Sequence, residues 1–141
     1  MEEIIKEKIS ADHLLYVSLK YTKTCDVIIN LLSRWKIMIE LGLGRLIQKL
    51  KKEKRWKLTS DAPRARIIQL KKIYAHNSTV METLRLYEFF RDLDLLEKVR
   101  ENEFRKGVNL KVTYREQIVN INLNTLKEYA SILERFISFV R

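Results

Sequence analysis

The feature that most constrains the fold is a long apolar stripe in the first third of the chain. Apolar residues recur there every three or four positions, which is the spacing of one face of an α-helix over about seven turns. The stripe consists of Ile28, Leu31, Leu32, Trp35, Met38, Ile39, Gly42, Leu46 and Leu50. Thr24 is placed to cap this helix, and Asp26 lies in its first turn. A helix of this length needs other elements to cover its stripe, so the sequence predicts a mainly helical fold.

Two glycines interrupt this long helix. Gly42 and Gly44 each cost roughly 1 kcal/mol relative to alanine inside a helix. The chain has only 3 Gly and 1 Pro in 141 residues, so two glycines in one helix require a reason. The sequence predicts either the close approach of a neighbouring backbone at this point or a bend in the helix.

Shorter amphipathic segments surround the long helix. They predict further helices at about 2–21, 64–75 and 80–91. The first could restart at a cap formed by Ser10 or Asp12, and the next follows the capping and turn cluster Thr59–Pro63. The stretch His76–Thr79 provides the exit from one helix and the cap of the next. Four amphipathic helices with short connections favour an up-and-down four-helix bundle.

The apolar period changes to two after Gly107. Alternation at 108–114 and again at 118–123 predicts a β-hairpin, with Arg115–Gln117 at its turn. Asn122 or Asn124 then caps a final helix that ends near Val140. We therefore expect a mainly α single domain over 1–141, with a helical bundle in 1–93 and a hairpin plus C-terminal helix packed on it in 94–141.

Several classes of protein lack support in the sequence. Cys25 is the only cysteine, which predicts a small buried residue and not a disulfide. No nucleotide-binding loop or nucleophile motif occurs, and neither histidine has zinc-ligand spacing, so we predict no cofactor, no metal and no catalytic residues. The acidic N-terminus and the absence of a long apolar run predict a cytoplasmic protein without a membrane partner.

The positive charge of the chain is concentrated in one segment. The formal net charge is +10, but 1–44 is neutral and 73–141 carries only +1. Residues 45–72, here named the basic block, hold eleven basic and two acidic side chains. Like charges at this density repel one another, which favours an anionic partner, although a solvated helix end has the same pattern.

The leading hypothesis is a small basic binding module that contacts RNA or DNA without reading its sequence. Trp56 could stack on a base or cap the end of the bundle. The candidate nucleic-acid-binding residues are Arg45, Lys49, Lys51, Lys52, Lys54, Arg55, Trp56, Lys57, Arg64 and Arg66. A different hypothesis is a self-associating subunit, such as a homodimer, that uses the long apolar helix.

The stretch Tyr74–Ser78, together with the long early helix and the basic character, resembles the HEPN superfamily of small helical bundles. The resemblance covers residues 12 to about 91. It implies a partner of nucleotidyltransferases, or a ribonuclease with an Arg-x(4–6)-His motif. The arginine positions of that motif are occupied here by Gln69, Leu70 and Lys71, so the resemblance assigns only His76. The Lys- and Ile-rich composition is similar to that of proteins from thermophilic archaea.

Overall fold

The structure is a computed structural model that describes residues 1–57 and 60–141. The first helix consists of α1 (Glu2–His13), a π-helical segment (Leu14–Ser18) and α2 (Leu19–Tyr21), which follow one another directly. The other helices are α3 (Cys25–Lys52), α4 (Pro63–Ile73), α5 (Ser78–Asp92) and α6 (Leu123–Val140). A 3₁₀ turn (Leu93–Leu95) leads into the strands β1 (Lys98–Glu101), β2 (Asn109–Tyr114) and β3 (Gln117–Ile121). The mainly helical fold is confirmed. Thr59, which was assigned to a cap cluster, lies outside the described residues.

The helix caps follow from short polar side chains. Thr24 Oγ1 accepts a hydrogen bond from the Val27 amide at 3.4 Å, as predicted for the start of α3. Asn77 and Asn122 cap α5 and α6 in the same way. Pro63 is the first residue of α4, where its missing N–H costs nothing.

The predicted restart of the first helix is wrong. Asp12 lies inside α1, where its carboxylate pairs with Lys8 Nζ at 2.7 Å. The helix continues past it through the π-helical segment, whose hydrogen bonds span five residues instead of four. Asp12 therefore forms an ion pair within a continuous helix and does not cap a new one.

The core forms around α3, which packs against α1, α5 and α6. Gly42 permits this packing because the ring of Phe136 on α6 occupies the space that a side chain would need. The predicted approach of a neighbouring backbone is wrong at this position, because the nearest neighbour of Gly42 is the side chain of Phe136. Gly44 has open space beside it. The up-and-down order of four helices remains a prediction, since α4 contacts mainly α5.

The hairpin is confirmed, and it belongs to a three-stranded antiparallel sheet of order β1-β2-β3. Arg115 and Glu116 form its two-residue turn with positive φ angles of 50° and 64°, as a type I′ turn requires. Sequence reasoning missed β1, which pairs Lys98 with Val112 and Glu101 with Asn109. Leu110, Val112 and Ile121 join the helical residues in one apolar cluster.

Candidate nucleic-acid interface

A sharp turn after α3 sets the direction of the basic segment that follows it. The Arg55 amide donates to the Leu50 carbonyl at 2.9 Å, and the Lys54 amide donates to the Lys51 carbonyl at 3.1 Å. These two bonds, with Lys54 at a φ of 59°, are those of a Schellman motif. Lysine stands where such motifs usually have glycine. The turn ends the helix and directs the next basic side chains toward α4.

Helix α4 has one buried side and one open side. Ile67 and Leu70 are buried in the core. The opposite side carries a row of positions three or four residues apart: Ala65, Ile68, Gln69 and Lys72. Ile68 is 51% exposed, so this side presents apolar surface to solvent.

The turn and the open side of α4 enclose a wide cleft of about 830 Å³, here named the basic groove. Its basic side chains are Lys54, Arg55, Lys57 and Lys72, and Ile68 and Ile73 supply apolar surface. Among the described residues that line the groove there is no carboxylate. Glu53 pairs with one of these cations from outside the lining: its Oε2 lies 3.5 Å from Arg55 Nη1 at an exposed position. The groove therefore presents positive charge beside an apolar surface.

Aromatic residues support this end of the molecule. Trp56 is partly buried and packs against the core, so it covers apolar residues and does not project freely. Tyr74 meets the ring of Phe139 edge-on, with 5.9 Å between centroids. Burial raises the pKa of Tyr74, and the nearby Arg55 guanidinium opposes that shift. Gln69 and Lys72 line the groove but were not among the candidate residues, and only the helical phase of α4 could have indicated them.

The rest of the basic block lies elsewhere. Lys49, Lys51 and Lys52 are exposed on the last turns of α3 and do not line the groove. Arg45 Nε donates to the Val140 carbonyl at 2.8 Å, so it supports the end of α6. Arg64 lines another cleft, beside the ion pair of Lys71 with Glu88. The structure thus brings together only part of the block.

Arg66 lines a third cleft, of about 250 Å³, together with Glu40 and Tyr87. The Tyr87 hydroxyl donates to Glu40 Oε1 at 3.1 Å. Burial, with the neighbouring Glu40 carboxylate, raises the pKa of Tyr87 to about 12. A phenol with this pKa stays neutral near pH 7, so Tyr87 keeps its proton there and donates it in this hydrogen bond.

His76, the one residue that the HEPN resemblance assigns, lies in the exposed turn between α4 and α5. It does not line the basic groove. Over 1–57 and 60–141, no group of three His, Cys, Asp or Glu side chains is arranged to hold a metal ion. Cys25 is buried, as predicted, and its thiol donates to the Asn109 carbonyl at 3.3 Å.

Within the described parts of the chain, none of the helices combines the length and the apolar composition that crossing a membrane requires. Comparisons of the chain with protein-family models, with curated proteins and with solved structures gave no significant match. The function is therefore argued from the residues and their geometry.

Proposed function

We propose that the protein binds nucleic acid through the phosphate backbone, without reading the sequence, and that the basic groove is the contact surface. The observation that carries this proposal is the meeting of Lys54, Arg55, Lys57 and Lys72 around one open cleft. Phosphates require only cations within reach, and flexible lysines meet that need without fixed geometry.

The apolar part of the groove favours a single strand over a duplex. Ile68 and Ile73 line the groove together with the cations, and the exposed surface of Ile68 can be covered by unstacked bases or sugars. A duplex keeps the faces of its bases stacked inside, so these faces cannot cover such an apolar surface. Trp56 is partly buried and packs against the core, so it contributes by anchoring the segment that carries Arg55 and Lys57.

The number of cations predicts the salt dependence of binding. If all four neutralise phosphates of a single strand, the slope of log K against log salt is about −2.8. Raising the salt from 50 to 200 mM should then weaken binding about fifty-fold. This dependence can be measured by the fluorescence anisotropy of a labelled oligouridylate.

The test variant is the double substitution Lys57→Gln and Lys72→Gln, which removes two cations from the groove. We expect the salt slope to become shallower by about 1.4. The matched control is Lys6→Gln with Lys36→Gln, which removes the same charge at positions outside the basic block that do not line the groove. Absence of binding at 50 mM salt, or equal loss in the two double variants, refutes the proposal.

Self-association through the long apolar helix has less support. The stripe of α3 is buried inside the chain, from Ile28 to Leu50, by α1, α5 and α6. A second copy would have to use another surface.

A further inference from the structure

An apolar pocket of about 280 Å³ lies outside the basic block. Leu15, Leu19 and Val108 form its floor, and each is at most 3% exposed. Tyr16 and Leu123 line it as well but remain largely accessible to solvent. The pocket thus has a buried apolar base and an open mouth.

Three segments that are distant in sequence build this pocket. The π-helical segment and α2 supply one wall, the residues just before β2 supply another, and the first turns of α6 supply the third. Single π-helical turns inside α-helices are frequent at functional sites. The pocket is therefore formed by tertiary structure at an irregular point of a helix.

Four lysines also line the pocket: Lys20, Lys23, Lys106 and Lys127. The Lys23 ammonium donates to the Lys20 carbonyl, which holds it at this position. None of the four forms an ion pair within 1–57 or 60–141. No carboxylate is found among the described lining residues. Four ammonium groups around one apolar site repel one another unless an anion is present.

We propose that this pocket binds a medium-chain acyl carboxylate, with its tail on the apolar floor and its carboxylate among the lysines. The four lysines favour an anion, and the buried apolar floor favours an apolar tail. The volume sets the length of that tail: a cavity of about 150 Å³ accommodates benzene, so 280 Å³ accommodates roughly ten non-hydrogen atoms. Octanoate has that size.

The test uses the full-length protein and isothermal titration calorimetry with octanoate, butyrate and octylamine. We expect saturable one-to-one binding of octanoate. Each methylene that leaves water strengthens binding about fourfold, so butyrate, which is four methylenes shorter, should bind about 250-fold more weakly if all four are buried. Octylamine has the same tail with a positive charge and should not bind.

Two variants locate the site. Lys127→Glu reverses a rim charge and should weaken octanoate binding about fivefold or more. Leu123→Glu places a carboxylate at the mouth, and glutamate is well tolerated in the first turn of a helix. The matched control is Lys6→Glu, the same charge change at an exposed position of α1 that does not line the pocket.

Loss of binding in both pocket variants, with Lys6→Glu unchanged, supports the proposal. It is overturned by the absence of saturable octanoate binding, by equal binding of octylamine, or by an equal effect of Lys6→Glu. Binding to anionic lipid vesicles without binding of free octanoate also overturns it. The double variant Lys57→Gln and Lys72→Gln should leave octanoate binding intact, which separates this proposal from the nucleic-acid proposal.

Discussion

Replacing Gly42 by alanine tests how closely α3 and α6 pack. A Cβ atom at this position would lie 2.4 Å from Phe136 Cε2 and 2.8 Å from Cζ. Carbon atoms in contact are normally about 3.5–4.0 Å apart, so the ring would have to retreat by about 1 Å. Phe136 is 1% exposed, so its ring cannot move into solvent and would have to displace its neighbours in the core.

The expected magnitude is the difference between two opposing effects. Replacing glycine by alanine inside a helix stabilises it by about 0.5–1 kcal/mol. Forcing an extra methyl group into a packed core costs about 1–3 kcal/mol. We therefore expect Gly42→Ala to lower the free energy of unfolding by about 0–2.5 kcal/mol, with a central value near 1 kcal/mol.

Gly44 provides a matched control on the same helix. Nothing lies within 4 Å of a Cβ atom built there, so Gly44→Ala should stabilise the protein by about 0.5–1 kcal/mol. The helix-propensity contribution is common to both variants. The difference between them therefore measures the contact with Phe136 alone.

Urea unfolding followed by circular dichroism at 222 nm measures both free energies. Phe136→Leu removes the two ring atoms that the new methyl group meets, so Gly42→Ala should become neutral or stabilising in that background. If the two glycine variants stabilise the protein equally, the packing of α6 on α3 described here is incorrect.

Three further outcomes are expected. Tyr87 and Tyr129 should both titrate near pH 12 in NMR of ring-labelled tyrosine, because burial raises the pKa of each. Their contribution to stability should be complete below pH 10 and decline as the pH rises through 12, which alkaline unfolding curves can follow. Glu116→Gly should stabilise the protein by about 1 kcal/mol in urea unfolding, since glycine adopts the positive φ of this turn without strain. Labelled RNA incubated with His76→Ala or with the wild-type protein should give the same bands on electrophoresis, because His76 lies in an exposed turn. Cleavage by the wild-type protein that is lost in the variant would instead support the ribonuclease hypothesis.

Local signals made much of the fold predictable. The stripe on α3 has a strict helical period. The caps are equally local, because each cap side chain accepts a hydrogen bond from the amide three residues further along the chain: Thr24, Asn77 and Asn122. Strand β1 had no such signal, because Val99 is its only apolar residue and is itself exposed. Its position depends on pairing with β2, which is a tertiary contact.

The candidate interface was predictable only as a segment. Charge counting located the basic block, but the direction of each side chain depends on the turn at Lys54 and on the phase of α4. The burial of Ile67 and Leu70 fixes that phase, and it places Lys72 in the groove while Arg66 points to the cleft of Tyr87. Residues six positions apart on a helix lie about 120° apart around its axis, so a sum of charges over a segment does not describe a surface.

The same reasoning explains why the net charge of each segment did not indicate the lysine-lined pocket. Its four lysines come from the two flanking segments, whose net charges are zero and +1. The acidic residues that cancel them in sequence are absent from the described lining, so a neutral segment contributes to a strongly positive site. Folding therefore both divides the basic block over several faces and concentrates charge from neutral segments. Since an anion responds to the local potential and not to the charge of a segment, the two sites should bind different anions independently.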